Sequence, residues 1–300
     1  MYMRYCSGIK PVFLTVLCLS IAGTCALCAA TRPIPKPDDN DIAVFLKACA
    51  TGDVVMVHDA LASRLPADLC AARNAMGLSG LDLAVSGDRT KCVSLILDAG
   101  ANVNARNKAG RTPLCWAAIS GLKDCTELLI SRGADPKIAD NDGNTPLHLA
   151  VNLKRKDCVE VLVAKGALLN AMNNAGYTPL HSAVAAGDKD MVEMLLSKGA
   201  LPNSVAKDGQ TPLHSAACLP DKDVAALLIA KGATVNARSD DGSTPLHNAA
   251  SRGSTAVAEL LISKGARVNS QDRDGKTPLQ RALARNDHAM IALLTSHGAK

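Results

Sequence analysis

Apolar residues recur at helical spacing along most of the chain. In three stretches they stand at positions i, i+3 and i+4: Met191, Met194 and Leu195; Val224, Leu227 and Leu228; and Val257, Leu260 and Leu261. That spacing places the apolar side chains on one face of a helix and predicts one buried stripe per helix. A single pair of short helices cannot bury such a stripe, so the pattern predicts helices stacked in a row.

The tripeptide Thr-Pro-Leu marks a repeat of 33 residues. It begins at positions 112, 145, 178, 211, 244 and 277, and Gly-Ala keeps the same step from Gly100 to Gly298. Two independent markers in one register indicate an internal repeat array, predicted to cover residues 41–300. We count six regular units, a degenerate unit at Ser79–Val85 and a cap-like unit at Lys47–Leu61, with an insertion around Leu65–Gly77.

Each unit contains signals for a turn, a helix start and a helix end. In the stretch DGNTPLHLA, Asp142–Gly143 predicts a tight turn, because glycine accepts the positive φ that such a turn needs. Thr145 suits a helix N-cap, and Pro146 suits the first helical position, where its missing N–H costs nothing. Gly166 follows the second helix as a C-terminal cap. Aromatic residues make up only 2% of the chain, which favours closely packed small helices.

These motifs resemble the ankyrin repeat. The resemblance is carried by DGNTPLHLAV (142–151) with VEVLVAKGALLNA (159–171), and by DGSTPLHNAASRG (241–253) with VAELLISKGARVNS (257–270). It covers about 260 of the 300 residues. It implies an all-α solenoid of stacked helix-turn-helix units with β-hairpin loops, which binds other macromolecules.

One position of the repeat carries a histidine in four units: His148, His181, His214 and His247. A shared metal ion is excluded, because stacked helix pairs lie about 8–10 Å apart while zinc needs each nitrogen at about 2.0–2.1 Å. The resemblance implies instead a structural hydrogen bond from each histidine to a hairpin. Three units depart from this pattern, with Asp82, Cys115 and Gln280 at the same position.

The first 30 residues differ from the rest of the chain. Arg4 and Lys10 precede an uncharged apolar run, Val12–Ala30, that ends in small residues and predicts an export signal. The run has 19 residues, so an uncleaved membrane anchor is a second interpretation, and lipid attachment at Cys25 is a weaker third. Residues 31–40 read as a Pro-rich linker. Each interpretation places the array outside the cytoplasm, periplasmic or secreted, with membrane attachment only through the N-terminal segment.

Seven cysteines follow the export signal: Cys49, Cys70, Cys92, Cys115, Cys125, Cys158 and Cys218. An odd number leaves at least one of them unpaired in a monomer. Cys92, Cys125 and Cys158 share one core position, where neighbouring repeats hold the Cα atoms beyond the roughly 7 Å limit for a disulfide. We predict free, buried thiols at these three positions. Cys70 lies in the insertion and is expected to be the most exposed or reactive cysteine.

Charge and motifs narrow the class of function. The formal charge is +5, and Arg4 and Lys10 contribute two of these charges. The net charge that remains without these two residues is too small to indicate a nucleic-acid-binding surface. The sequence has no nucleophile elbow, glycine-rich phosphate loop or HExxH motif, and its Asp-Gly pairs lack the spaced acidic ligands of a calcium loop. We therefore expect no catalytic residue, cofactor or metal.

The resemblance implies that partners bind to the hairpin tips and to the outward positions of the first helices, which together line a concave groove. An apolar strip with a polar rim is typical of a protein interface. The predicted partner-binding residues are Arg111, Ile119, Asn144, Leu153, Tyr177, Ala185, Gln210, Leu219, Ser243 and Lys276. Trp116 is either an interface anchor or a filler at the end of the core, and we favour the filler.

Together these features predict a non-enzymatic, exported interaction scaffold that holds another protein in the groove. The alternative is a thiol-based role in oxidant protection or metal buffering outside the cytoplasm, carried by Cys70 and Cys218. That role requires a thiol with a lowered pKa.

Overall fold

The computed structural model describes residues 36–63 and 66–300. The predicted export signal, residues 1–30, and residues 31–35 of the predicted linker lie outside the described residues. Helix α1 begins at Asp39, so the last two residues of the predicted linker already belong to a helix. In the described part of the chain, no helix is both long and apolar enough to cross a membrane.

Seventeen helices make up the regular structure of the described residues. They are α1 Asp39–Thr51, α2 Val54–Ser63, α3 Pro66–Ala71, α4 Gly80–Ser86, α5 Thr90–Asp98, α6 Pro113–Ser120, α7 Lys123–Ser131, α8 Pro146–Asn152, α9 Lys156–Ala164, α10 Pro179–Ala185, α11 Lys189–Ser197, α12 Pro212–Ala216, α13 Asp223–Ala230, α14 Pro245–Arg252, α15 Thr255–Ser263, α16 Pro278–Ala284 and α17 His288–Ser296. Apart from α3 they pair in chain order, and the first helix of each pair packs against the first helix of the next. This arrangement confirms the predicted helical solenoid.

Two positions of the repeat build the core. The first helices contribute leucines that are at most 2% exposed: Leu81, Leu114, Leu147, Leu180, Leu213 and Leu246. The second helices contribute side chains that are 0% exposed: Ile96, Leu129, Leu162, Leu195, Leu228, Leu261 and Leu294. Burial of one such side chain contributes roughly 1.5–3 kcal/mol. Because the apolar cluster runs from α1 to α17, the units stabilise one another along the stack.

The helix ends follow the sequence signals. Thr145 is the N-cap of α8 and Pro146 occupies its first position, as predicted. After α9, Gly166 has a φ of 86°, a left-handed conformation that suits glycine. The N–H of Ala167 then donates to the carbonyl of Leu162 at 2.9 Å, which satisfies a carbonyl at the helix end.

The loops between units are tight turns with hairpin-like hydrogen bonds. In the loop of residues 140–144, the N–H of Asp140 donates to the carbonyl of Asn144 at 2.9 Å, and the N–H of Gly143 donates to the carbonyl of Asp140 at 3.0 Å. Gly143 has a φ of 79°, as the predicted turn requires. These loops are too short for extended strands, and the one β-bridge found among the described residues joins Arg73 to Ser79.

Leu65, the first residue of the predicted insertion, lies outside the described residues, and residues 66–77 contain one additional helix and a turn. Helix α3 packs against α2 and α4, and its Leu69 is 1% exposed. The turn after it is closed by a bond from the N–H of Gly77 to the carbonyl of Asn74, at 2.8 Å. The insertion therefore adds to the core before the regular repeats begin.

Candidate partner-binding groove

Each of the four histidines joins a first helix to the loop of the next unit. In α10, the backbone N–H of Thr178 donates to Nδ1 of His181 at 3.1 Å. Because Nδ1 accepts, Nε2 carries the proton and donates to the carbonyl of Gln210 at 3.4 Å. The other three histidines make the same bond, His148 to Tyr177, His214 to Ser243 and His247 to Lys276, at 3.0, 3.1 and 3.1 Å. These bonds confirm the structural role that the resemblance implied.

Burial lowers the pKa of all four imidazoles below the ordinary value for histidine. The geometry agrees with a neutral ring, since a proton on Nδ1 of His181 would face the N–H of Thr178. In the described part of the chain, no three His, Cys, Asp or Glu side chains are grouped so that they could hold a metal ion.

The units without a histidine keep the helix cap but lack the bond to the next loop. The carboxylate of Asp82 accepts from the N–H of Ser79 at 2.9 Å and from its hydroxyl at 2.8 Å. Its second oxygen is buried without a partner, and burial raises the pKa of this carboxyl. Cys115 contacts Thr112 at 3.5 Å. In the last unit, Oε1 of Gln280 accepts from a backbone N–H within its own cap, at 2.8 Å.

In the last unit, the loop tip and the first helix line the same depression of the surface. A cavity of about 630 Å³ is lined by the loop residues Asp274 and Lys276, by Arg281 and Arg285 of the α16 region, and by Ser251 of α14. The predicted tip position and the predicted helix position therefore face the same space.

The predicted partner-binding residues differ in exposure. Leu153, Ala185 and Lys276 are exposed, whereas six others are half-buried: Arg111, Ile119, Asn144, Tyr177, Gln210 and Leu219. The prediction for Ser243 is wrong, because this residue is only 2% exposed. Arg281 of the next unit covers it and donates to its hydroxyl at 2.8 Å.

Apolar side chains occupy two of the predicted groove positions in the central units. Leu153 is 45% exposed. Leu219 extends across a junction between units, and its methyl group lies 3.9 Å from where a Cβ on Gly187 would stand. Tyr177 is held in place, since its ring lies 5.5 Å from that of His181 and its hydroxyl donates to Asp208 at 3.3 Å.

Two exposed apolar residues of the central loops were missed by the sequence analysis. Met172 is 56% exposed and Val205 is 51% exposed, and both lie six residues before a Thr-Pro-Leu motif. At the same position, Arg238 reaches the next loop and donates to the carbonyl of Gln271 at 2.7 Å. The Asp-Gly turn signal lies closer to the Thr-Pro-Leu motif and does not extend to this position. In the sequence, the position is marked only by its change from a charged residue, Arg238, to the apolar Met172 and Val205 of the central units.

The N-terminal end of the groove contains the single tryptophan. The guanidinium carbon of Arg111 lies 5.8 Å from the centroid of the Trp116 ring, a contact of roughly 0.5–1 kcal/mol at an exposed site. Nε of Arg111 also lies 3.5 Å from the buried carboxylate of Asp140 in the next loop. Trp116 is half-buried and packs against the hydrophobic core, which supports its interpretation as a core filler.

The seven cysteines of the described residues are all free. Cys92, Cys125 and Cys158 are buried, which confirms the prediction for the shared core position. Cys70 and Cys218 are half-buried. Burial raises the pKa of Cys70, and mainly burial raises the pKa of Cys125 to about 12. A reactive thiol at Cys70 would need a lowered pKa, so the raised pKa gives the thiol-based alternative no support.

Comparison with known proteins identifies the class of protein. The family model described as "Ankyrin repeats (3 copies)" matches residues 81–173, 114–206, 168–239 and 221–300. The chain therefore belongs to the ankyrin repeat family. The matches begin at residue 81, so the cap-like unit and the total of eight units stay predictions.

A solved structure is similar over most of the array. It is titled the crystal structure of the ankyrin repeat domain of Bcl-3, "a unique member of the IkappaB protein family". The similarity covers 73% of this chain and 99% of that chain, with 32% sequence identity and a TM-score of 0.64. Comparison with curated proteins found no match.

Proposed function

We propose that the protein is an exported, non-enzymatic scaffold that holds a segment of another protein in its concave groove. Ankyrin repeats generally mediate protein–protein interaction, and the array supplies the rigid support that such loops need. The observation that carries the proposal is the exposure of apolar side chains on consecutive central units. Leu153, Met172 and Val205 are between 45% and 56% exposed, on consecutive units of an otherwise well-packed stack.

The central units contain the residues best suited to anchor a partner. Tyr177 offers an amphipathic ring whose hydroxyl and aromatic face are already fixed by Asp208 and His181. A pre-positioned aromatic side chain loses little conformational entropy on binding. Leu153 stands on the preceding unit and exposes nearly half of its surface. We expect these two residues to contribute the largest share of the binding energy.

A random peptide library displayed on phage supplies a probe for the groove. Peptides selected on the protein produced from the full chain should bind a Leu153→Ala/Tyr177→Ala variant at least tenfold more weakly, since truncation of an interface anchor typically costs more than about 1 kcal/mol. The matched control is Glu160→Ala/Glu193→Ala, which changes exposed residues of the second helices α9 and α11. Both variants should keep the original thermal unfolding midpoint within a few degrees.

The control variant should bind the selected peptides as the original protein does. Selected peptides that bind the groove variant and the original protein equally well would place the interface elsewhere. A library that yields no enriched peptide would contradict the proposal of a peptide-binding groove.

Export rests on the sequence of the first 30 residues. Arg4 and Lys10 precede the apolar run Val12–Ala30, in the order found in secretory signals. N-terminal sequencing of the mature protein should find a new start near Thr31 in the fraction outside the cytoplasm. An intact Met1 on protein in the membrane fraction would favour the anchor, and an intact Met1 in the cytoplasm would contradict export.

A further inference from the structure

We propose that Asp82 takes up a proton on its unpartnered oxygen, Oδ1, when the pH falls, and that this proton links α4 to the next loop. Acid therefore strengthens the junction between the units that begin at Ser79 and Thr112, whereas it weakens the junctions that the histidines link. The proton uptake does not depend on the function proposed above.

Asp82 occupies the repeat position of the four histidines and shares half of their hydrogen bonding. Its oxygen Oδ2 accepts from the N–H of Ser79 at 2.9 Å, as Nδ1 of His181 accepts from the N–H of Thr178 at 3.1 Å. Each histidine then donates through Nε2 to a carbonyl 29 residues further along the chain. In Asp82 the atom left for this bond is Oδ1, and an ionised carboxylate has no proton to donate.

The carbonyl 29 residues after Asp82 is that of Arg111. It accepts from the N–H of Asn107 at 3.0 Å, as the carbonyl of Tyr177 accepts from the N–H of Asn173 at 3.0 Å. The two loops therefore hold this carbonyl in the same way. Because a carbonyl oxygen has two lone pairs, that of Arg111 can accept a second bond, from a proton on Oδ1.

The surroundings of Asp82 favour the protonated form. The residue is 2% exposed, and Oδ1 is buried without a partner among the described residues. An unpaired charge in such a place is costly. Burial raises the pKa of this carboxyl, against the bonds from Ser79 and the positive charge of Arg73. Nη1 of Arg73 donates to three backbone carbonyls, those of Cys70, Ala71 and Ala72, at 3.3, 3.1 and 3.0 Å.

The elements packed against α4 place no cation beside Asp82 in the described part of the chain. These elements are α1, α3, α5 and α6. Their charged side chains are exposed or half-buried: Asp39, Asp41, Lys47, Asp68, Lys91 and Asp98. Their cysteines have pKa values that burial raises, so the thiols are uncharged: Cys49, Cys70, Cys92 and Cys115.

The cations of the loop before α6 are engaged elsewhere. Nε of Arg106 donates to the carbonyl of Gly110 at 3.0 Å, and Nζ of Lys108 donates to the carbonyl of Ala75 at 3.0 Å. Nε of Arg111 lies 3.5 Å from the carboxylate of Asp140. The cation whose charge acts on Asp82 is therefore Arg73.

The sign of the pH effect follows from the raised pKa of Asp82. The folded protein binds this proton more readily than the unfolded chain, in which the ordinary pKa of aspartate is about 3.9. The stabilisation is therefore fully present below about pH 3.9, and it is lost as the pH rises through the pKa of Asp82 in the folded protein. The histidine links have the opposite sign, since acid removes their contribution.

The two kinds of link support different tips of the proposed groove. His148 holds the loop of Tyr177 through its carbonyl, at 3.0 Å, and the proton on Asp82 holds the loop of Arg111. Acid thus loosens the Tyr177 loop and secures the Arg111 loop. This consequence rests on the proposed groove. The two tests below use no partner, so they can succeed even if the groove proposal fails.

Carbon-13 NMR of the carboxyl groups tests the proton directly, on the protein produced from the full chain. The signal of Asp82, assigned from its loss in Asp82→Asn, should titrate above pH 3.9. The internal reference is Asp241, whose pKa is lowered to about 2 by bonds from Ser239 and Ser243, so its signal should stay that of a carboxylate down to pH 4. The backbone carbonyl signal of Arg111 should shift over the same pH range as the carboxyl of Asp82.

Two results of this titration would overturn the proposal. One is a midpoint for Asp82 at or below pH 3.9, because the folded protein would then not favour the proton. The other is a carbonyl signal of Arg111 that does not follow Asp82, because the proton would then make no link to the next loop.

Amide hydrogen exchange between pH 7 and pH 4, corrected for intrinsic rates, tests the strength of the junction. In the original protein, α4 should gain protection relative to α10 as the pH falls, by at most tenfold per pH unit for one proton. Asp82→Asn keeps the shape and supplies a donor at every pH, so it should remove this gain. The control, Asp59→Asn, removes the same charge from an exposed residue of α2 and should keep the gain. Equal losses of protection in α4 and α10 of the original protein, or a gain that persists in Asp82→Asn, would contradict the proposal.

Discussion

The junction between the units that begin at Thr112 and Thr145 differs from the four junctions that follow it. At each later junction, a histidine of the first helix bonds to the next loop, as His181 does to Gln210. An asparagine forms a second link: Asn203 donates to the carbonyl of Gly232 at 2.8 Å and accepts from the N–H of Thr234 at 2.8 Å. At the four later junctions the asparagines are Asn170, Asn203, Asn236 and Asn269. Asn104 forms the same link at the junction that precedes the unit at Thr112. At the earlier junction, Cys115 and Lys137 occupy the two positions.

Other contacts hold that junction together. The N–H of Asn141 donates to the carbonyl of Ala109 at 3.0 Å, the backbone bond between loops that also occurs in later units. Nε of Arg155 donates to the carbonyl of Ile119 at 3.1 Å. We infer that core packing and loop stacking set the fold, while the side-chain links adjust the strength of each junction. In a repeat protein, where stability is a sum of units and junctions, this junction should open first.

The largest expected difference comes from removal of a histidine link. His181→Ala should lower the free energy of unfolding by about 2–3 kcal/mol, because it leaves the buried N–H of Thr178 without an acceptor and opens a cavity. Cys115→Ala should cost about 1 kcal/mol, because that side chain is small and makes no bond to the next unit. Urea denaturation measures both values. Equal losses would show that the histidine adds nothing to its junction.

Acid should weaken the histidine-linked junctions selectively. Burial lowers the pKa values of four histidines in the folded protein: His148, His181, His214 and His247. Below about pH 6.5, the ordinary pKa of histidine, the unfolded chain therefore binds more protons than the folded protein. The stabilisation that these neutral histidines give is fully present above that pH and is lost as the pH falls toward their pKa values in the folded protein. Hydrogen exchange at pH 8 and pH 5, corrected for intrinsic rates, should show greater loss of protection in α10 and α12 than in α6. A uniform loss along the array would contradict this origin.

The asparagine link should have the smallest effect, because it is exposed to water. Asn203→Ala removes two ordinary hydrogen bonds and should lower the free energy of unfolding by about 1 kcal/mol. Lys137→Asn should add the two equivalent bonds at the weak junction and stabilise it by about 0.5–1 kcal/mol. Lys137→Ala is the control for removal of the lysine alone. If Lys137→Asn behaves like Lys137→Ala, no asparagine link has formed at residue 137.

Residues whose role depends on near neighbours in sequence could be predicted, whereas contacts between units largely could not. Thr145, Pro146 and Gly166 act within their own helix ends, and their patterns repeat every 33 residues. Asn203 resembles an ordinary polar loop residue, because one of its partners lies 29 residues further along the chain. The stacking geometry decides which side chains meet over such distances.

The same reason explains the errors at the candidate site. Ser243 was expected at the surface, but Arg281, 38 residues later, lies over it. Met172 and Val205 were missed because their loop position carries no turn signal. The family resemblance predicts which face carries the groove, whereas the exposure of each side chain on that face depends on how the units stack.

The proposed groove crosses the weak junction, since Ile119 lies on one side of it and Leu153 on the other. A ligand that binds only the folded form stabilises it by mass action. A partner segment across both residues should therefore strengthen this junction more than the later ones. Partner binding should therefore be detectable as slower opening of the weak junction.

Amide hydrogen exchange of the protein, with and without a display-selected peptide, tests the central claim most directly. We predict slower exchange in α6 and α8, around Ile119 and Leu153, and in the loop that contains Tyr177, with little change in α9 and α11. Protection confined to α9 and α11, or no protection in α6 and α8 under saturating peptide, would contradict a partner-binding groove.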